Sequence, residues 1–206
     1  MLLTITTTRA PATDLGYLLH KHPDRLQTYR TAAGAAHIFY PEATPERCTA
    51  ALLLEVDPIA LVRGPAGSKN KPSDGELAQY VNDRPYAASS MLAVALKEAF
   101  RTALTGRCDA RPELAQSRIP LTLHVPALRC KSGPELTKAV FEPLGWTVTA
   151  TSQPLQPAEW GASPYQDLRL TGQVRLADAL NHLYVLLPVL DDAKHYWVST
   201  DEVDTQ

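Results

Sequence analysis

Apolar and polar residues alternate along several short stretches of the chain, as they do in strands that are buried on one face. The clearest alternation runs over residues 168–175, "LRLTGQVR". The opening "LLTITTT" is rich in β-branched residues, and "CTAALLLEVDP" is a continuous apolar run that predicts a central strand buried on both faces. Shorter strands are predicted at "RLQTYRT", "AAHIFY", "LTLHVPALRC" and "WTVTA", with Gly34 in the turn of a hairpin.

A four-residue apolar repeat in the middle of the chain predicts its clearest helix. The repeat consists of Leu92, Leu96, Phe100 and Leu104, and Gly106 stands where a C′ glycine ends a helix. We expect this helix from about Pro85 to Thr105.

Two shorter helices are predicted from their end signals. The first has Thr13 or Asp14 as N-cap and ends at Pro23. The second, in "SGPELTKAVFEP", has Ser132 and Glu135 at the spacing of a capping box, with a proline in its first turn.

A last helix is predicted from a leucine repeat at positions 176, 180, 183 and 187, which Pro188 interrupts. Hairpins come early and helices are interleaved later, without the regular strand–helix alternation of a doubly wound sheet. The pattern favours an α+β fold, a two-layer α/β sandwich with helices packed on one face of a mainly antiparallel mixed sheet. Residues 107–120 mark a candidate boundary between two subdomains.

Composition and charge exclude several classes of function. The chain has 206 residues and a net charge of −2, which is not the charge of a protein that holds nucleic acid mainly through its phosphates. Its three cysteines are widely spaced and odd in number, so neither a zinc knuckle nor a disulfide framework is indicated. Without a signal peptide or a long apolar run, we expect a cytoplasmic protein with no membrane span.

The common catalytic motifs are missing from the sequence. There is no glycine-rich turn between a strand and a helix, no HExxH or CxxC pair and no GxSxG elbow. His20 and His22 are two residues apart, which on a helix points them in different directions and favours surface histidines over a metal site. We therefore expect no catalytic residue, no metal and no cofactor in this chain.

One dense polar and aromatic cluster precedes the long helix, in "QYVNDRPYAASS". Its asparagine and aspartate are good N-cap residues, which favours a structural role as a helix start. Tyrosine and arginine are enriched at protein interfaces, which favours recognition of a partner, and catalysis is the third alternative. The candidate partner-binding residues are Tyr80, Asn82, Asp83, Arg84 and Tyr86.

A second cluster lies in "LDDAKHYW". Asp191, Asp192 and His195 have the chemistry to share a divalent ion, or to act as a general base and its orienting carboxylate, which leaves an independent metal-dependent enzyme as an alternative. The competing interpretation is a charged connection after a helix with aromatic residues packed beneath it. As an interface, the cluster contributes Asp191, Asp192, His195 and Tyr196.

Several long blocks of the sequence are similar to one known family. They are "MLLTITTTRAPATDLGYLLHKHPDR", "FYPEATPERCTAALLLEVDPIALVRG", "QYVNDRPYAASSMLAVAL", "FEPLGW" and "HLYVLLPVLDDAKHYWV". In this order they resemble the N-terminal half of the bacterial HEN-type 3′-terminal RNA ribose 2′-O-methyltransferases. The resemblance runs from Met1 to about Val203.

The resemblance implies a non-catalytic activator domain over residues 1–206. Its partner would be the ligase domain of a bacterial polynucleotide kinase–phosphatase–ligase, whose adenylation and RNA ligation it would stimulate within a hetero-oligomeric RNA repair complex. Contact with RNA would be indirect or local. S-adenosylmethionine and a divalent metal would belong to a C-terminal methyltransferase domain that is absent from this chain. A passive scaffold or dimerisation domain is the other alternative.

Overall fold

The computed structural model describes residues 1–31, 34–56, 88–130, 132–157, 159 and 161–191. Seven strands form in this part of the chain: β1 Leu2–Thr7, β2 Gln27–Thr31, β3 Gly34–Ala43, β4 Cys48–Val56, β5 Ile119–Arg129, β6 Thr147–Pro154 and β7 Ala162–Val174. Its α-helices are α1 Leu15–Leu19, α2 Ala88–Ala99, α3 Arg101–Leu104, α4 Pro112–Gln116, α5 Gly133–Phe141 and α6 Leu176–Asp191. Two short 3₁₀ turns, Ala12–Asp14 and Glu142–Leu144, precede α1 and follow α5.

The strands form a single sheet in the order β2-β3-β4-β1-β5-β7-β6, and neighbouring strands are antiparallel throughout. β1 lies at the centre, where it pairs with β4 on one side and β5 on the other. In this register Ile5 lies opposite both Ala50 and Leu123. The sheet therefore joins strands from both sides of residues 107–120, where the sequence suggested a subdomain boundary.

One face of the sheet carries the core. Successive side chains of a strand point to opposite faces, so every second residue is buried, including Leu3 and Ile5 on β1, Leu121 and Leu123 on β5, and Leu170 on β7. The other face carries threonines and two histidine–carboxylate pairs, His37–Glu55 and His124–Asp167. The predicted two-layer α+β fold is confirmed, with the helices packed on the core face.

Gly172 shows how closely β7 approaches the turn before β6. A Cβ atom at this position would lie 3.0 Å from the carbonyl oxygen of Gly145 and 3.2 Å from the Trp146 ring. The alternating pattern of β7 places a glycine on the core face because the Trp146 ring occupies that space.

The first helix ends differently from the prediction. Asp14 and Thr13 make no capping hydrogen bond, and α1 stops at Leu19, well before Pro23. His20 adopts a left-handed backbone (φ 56°, ψ 38°), its N–H donates to Tyr17 O, and the next N–H, of Lys21, donates to Gly16 O. This is a Schellman C-cap with histidine at the position that glycine usually takes.

Two further helix predictions need correction. Ser132 makes no side-chain cap, because its backbone (φ −80°, ψ 3°) is not the extended one of an N-cap, and Glu135 instead accepts a hydrogen bond from Lys138. The long helix is divided at Phe100 into α2 and α3, although Gly106 ends it in the left-handed region as expected (φ 73°). Residues 85–87 lie outside the described residues.

Pro188 does not interrupt the last helix, as the sequence pattern suggested. It lies inside α6, which continues to Asp191. Leu187 and Leu190, on either side of the proline, are both fully buried, so continuing the helix keeps the second leucine in the core at the cost of one backbone hydrogen bond. Within the described part of the chain, no helix combines the length and apolarity that crossing a membrane requires.

Candidate partner-binding site

Helices α2 and α6 pack against each other in opposite directions. The Lys97 ammonium donates a 3.1 Å hydrogen bond to the Tyr184 hydroxyl and lies 5.1 Å from the centre of that ring. Asn181, three residues before Tyr184 on α6, donates a 3.0 Å hydrogen bond to the backbone oxygen of Leu104, at the end of α3. From Lys97 to Leu104 the chain runs forward, while the contacted residues of α6 run backward from Tyr184 to Asn181. The two helices are therefore antiparallel.

This geometry brings together two points that are distant in sequence. Ala88, the first residue of α2, and Asp191, the last of α6, lie about 13 Å and about 10 Å beyond the Lys97–Tyr184 contact at 1.5 Å rise per residue. They are therefore at the same end of the pair. We call the residues Ala88–Met91 and Leu187–Asp191 the helix-pair end.

Both clusters that the sequence singled out attach to the helix-pair end. Tyr86, the last candidate residue of the first cluster, is two residues before Ala88, and the second cluster continues directly after Asp191. Most of their residues lie outside the described residues: Tyr80, Asn82, Asp83, Arg84, Tyr86, Asp192, His195 and Tyr196. Their roles in partner binding stay predictions, but the chain brings their points of attachment to one place.

Asp191 is the member of the second cluster that the structure describes. Its side chain is fully buried, and Arg129 Nη1 donates to its Oδ1 at 3.0 Å and to its backbone oxygen at 2.9 Å. The cation at the end of α6 also complements the negative end of the helix dipole. Among the described residues, no group of three or more His, Cys, Asp or Glu side chains is placed to hold a metal ion.

Two buried polar side-chain atoms lie at the helix-pair end. Asp191 Oδ2 and Ser89 Oγ are both buried, and neither has a hydrogen-bond partner among the residues that the structure describes. A buried polar atom without a partner costs about 1–3 kcal/mol, and such atoms are rare in folded proteins. Both atoms lie at the helix-pair end, one on each helix.

Exposed apolar side chains lie next to this end. Val185 and Val189 are one helical turn apart on α6 and are 56% and 59% exposed, and Val94 on α2 is 48% exposed. Residues four apart share a helix face, so the two α6 valines form one apolar strip. Sequence analysis missed them because α6 is apolar on most sides, and its pattern does not separate the exposed valines from the buried leucines.

A hydrogen bond from Trp146, the residue before β6, fixes the middle of α6. Trp146 Nε1 donates a 3.1 Å hydrogen bond to His182 Nδ1, and the two rings meet edge to face at 81°. Burial lowers the pKa of His182, an effect that the nearby Asp178 partly opposes. A neutral imidazole is required here because a protonated Nδ1 cannot accept the hydrogen bond.

Comparison with known proteins gives a family match over the whole chain. A family model described as "RNA repair, ligase-Pnkp-associating, region of Hen1" matches residues 1–206. None of the curated proteins matches this chain.

Two solved structures share its fold. A chain of the structure titled "Structure of the Pnkp1/Rnl/Hen1 RNA repair complex" superposes with a TM-score of 0.59 at 14% identity, covering 97% of this chain and 44% of that one. A chain of "Structure of Pnkp1/Rnl/Hen1 complex" gives a TM-score of 0.55 at 15% identity and covers 92% of this chain and 41% of that one. The present chain thus spans less than half the length of these relatives.

Proposed function

Because the chain belongs to the family described as the RNA repair, ligase-Pnkp-associating, region of Hen1, we propose that it is a ligase-binding activator. It binds the ligase domain of a polynucleotide kinase–phosphatase–ligase and stimulates that enzyme's adenylation and RNA ligation. The match of the family over all 206 residues is the observation that carries this proposal. The chain itself catalyses no reaction in this proposal.

The helix-pair end is the contact surface that we assign to the ligase. It carries the exposed Val189 next to Val185, and it holds two buried polar atoms that have no partner among the described residues. It is also the attachment point of both predicted clusters. An interface core of apolar and aromatic residues with a polar rim has this composition. The near-neutral charge of the chain is consistent with a protein partner that itself supplies the cationic track for RNA.

Activation follows from differential binding. The module stimulates adenylation only if it binds the competent conformation of the ligase more tightly than the idle one, and a tenfold effect requires about 1.4 kcal/mol of difference. A rigid surface suits this role. The Arg129–Asp191 pair fixes the end of α6, which is part of the helix-pair end, to β5. In the competent conformation, the ligase lysine attacks the α-phosphate of ATP, forms lysyl-AMP and releases pyrophosphate.

The remaining activities are assigned to other parts of a longer protein. S-adenosylmethionine and a divalent metal would bind in a separate methyltransferase domain, and the whole assembly would act in the cytoplasm. Residues 1–206 would act as one module, a view that the single sheet running through both halves of the chain supports.

The test uses charge substitution on the apolar strip. The variant Val185→Asp/Val189→Asp should fold, because both side chains are exposed, and should weaken ligase binding by at least tenfold. Leu26, between α1 and β2, is 68% exposed, so Leu26→Asp is the matched control. Calorimetry measures binding, and formation of labelled ligase–AMP measures activation.

Three outcomes separate the alternatives. Loss of binding and of stimulation together in the valine variant, with the control unchanged, supports the proposal. Tight binding of the unmodified chain without any change in adenylation indicates a passive tether. Full binding by the valine variant shows that the ligase contacts another surface.

A further inference from the structure

Two neighbouring cavities lie where the end of α1 meets the segment after α3. The larger has a volume of about 510 Å³ and is lined in part by Tyr17, Pro23 and Cys108. The smaller has a volume of about 410 Å³ and is lined by Arg101, Thr102, Thr105 and Arg107 among others. His20 and Asp109 line both cavities, so they form the boundary between them.

The larger cavity has mainly apolar walls, and contacts hold Tyr17 in place within them. The Arg111 guanidinium lies 4.6 Å from the centre of the Tyr17 ring and donates a 3.0 Å hydrogen bond to Asp14. The Cys108 thiol donates to the backbone oxygen of Tyr17. A tyrosine that is 52% exposed yet held by these contacts is a surface on which a planar aromatic group stacks.

The smaller cavity has the chemistry of an anion site. Arg101 and Arg107 are exposed, and within the described part of the chain neither forms an ion pair. Thr102 lines the same cavity. Guanidinium groups bind phosphate oxygens through paired N–H donors, and a threonine hydroxyl adds one more donor.

The boundary between the cavities carries a carboxylate and an imidazole. Asp109 is an acceptor of the kind that binds a ribose hydroxyl. The Nε2 of His20 lies 2.9 Å from the backbone oxygen of Arg107, so Nε2–H donates and Nδ1 is left available. His20 also holds a left-handed backbone that costs a residue with a side chain about 1 kcal/mol.

We propose that the two cavities form one site for a nucleoside phosphate, either free or at the end of an RNA strand. The base stacks in the larger cavity, the ribose hydroxyls meet Asp109 and His20, and the phosphate binds Arg101 and Arg107. The site goes beyond the proposed ligase contact and is separate from it. Arg101 is 13 residues from Ala88, which places the phosphate cavity about 20 Å from the helix-pair end.

The experiment titrates the whole chain with each of the four nucleoside monophosphates, with a six-nucleotide single-stranded RNA and with inorganic phosphate. At least one nucleotide probe should bind with a dissociation constant below about 1 mM. Arg101→Ala/Arg107→Ala and Tyr17→Ala should each weaken it at least tenfold. Arg30→Ala removes an exposed arginine from β2 and should have no effect.

Comparison of the probes identifies the ligand. Binding of a monophosphate indicates a free nucleotide, and binding of the RNA alone indicates a strand end. Absence of binding by every nucleotide probe overturns the proposal, as does inorganic phosphate binding as tightly as a nucleotide. Ligase binding by Arg101→Ala/Arg107→Ala should be unchanged, so failure here and failure of the ligase proposal are distinguishable.

His20→Asn provides a second check. Asparagine tolerates the left-handed backbone, so the Schellman cap is retained while the imidazole is lost. We expect an unchanged unfolding midpoint together with weaker nucleotide binding. Unchanged nucleotide binding would show that the His20 imidazole does not contact the ligand, against the role proposed for it.

Discussion

Arg129 and Asp191 join the end of a strand to the end of a helix. A single nitrogen, Nη1 of Arg129, donates to both Oδ1 and the backbone oxygen of Asp191, at 3.0 and 2.9 Å. The carboxylate is fully buried and the arginine side chain is 11% exposed. β5 and α6 are therefore fixed to each other at the place where the chain leaves the described core.

Removing the carboxylate should strongly destabilise the fold. Asp191→Ala leaves the Arg129 guanidinium buried without its counter-charge, and breaking a buried pair from one side costs about 3–5 kcal/mol. We expect the free energy of unfolding to fall by about 3 kcal/mol, measured by urea denaturation.

The double variant Arg129→Met/Asp191→Leu separates charge from packing. Replacing both members of a buried pair with apolar residues is often neutral, so this variant should recover most of the lost stability. Equal losses in the single and double variants would contradict the view that the pair acts through its charges.

Stability should decrease as the pH falls through the range of histidine titration. Burial lowers the pKa of His182 below its ordinary value of 6.5. The unfolded chain therefore binds a proton first, and the contribution of the neutral ring is complete above about pH 7 and is lost as the pH falls. Urea midpoints between pH 7.5 and pH 5, with Trp146 fluorescence as a second readout, measure this.

His182→Asn is the control for the pH effect. Its side-chain oxygen can accept the Trp146 N–H near the Nδ1 position without titrating. The pH dependence below 6.5 should be smaller in this variant than in the unmodified chain. An identical dependence would assign the effect to other groups.

The three cysteines should be unreactive in the folded chain. All three are buried, and burial, assisted by Glu42, raises the pKa of Cys48 to about 11. At pH 8 roughly one such thiol in a thousand is ionised, and the thiolate is the reactive form. We expect a thiol reagent to label no cysteine of the native chain within minutes and all three in urea. Rapid labelling without urea would show local opening around one of them.

Two glycines give a matched pair for backbone strain. Gly106 (φ 73°) and Gly161 (φ 77°) are both left-handed, but a Cβ on the first would lie 2.8 Å from Arg175 Nη2 and a Cβ on the second meets nothing within 4 Å. Gly161→Ala should cost about 1 kcal/mol and Gly106→Ala about 2 kcal/mol. Equal costs by thermal denaturation would mean that Arg175 moves aside freely.

The sheet and the core were predictable from the sequence because side-chain alternation directly reflects burial. Residues 168–174 alternate as a strand on a core must, and β7 contains them all. The register was not predictable, since Ile5 pairs with a residue 118 positions away and local alternation does not select such a partner.

Helix ends were less predictable because each depends on local backbone geometry. A capping box requires an extended residue at the cap, and Ser132 is not extended. Pro188 is tolerated in α6 because burial of Leu190 outweighs a lost hydrogen bond. The antiparallel contact of α2 and α6, which brings the two predicted clusters to one end, follows from packing between residues about ninety positions apart and has no local signal.

The central position of β1 has a consequence for biosynthesis. β5, one of its two neighbours in the sheet, follows it by 118 residues, counted from Ile5 to Leu123. At about 5–20 residues per second, a ribosome needs about 6 to 24 s to make that distance. During this time one edge of an apolar strand is open to other chains, so early engagement by a chaperone would raise the yield of folded protein.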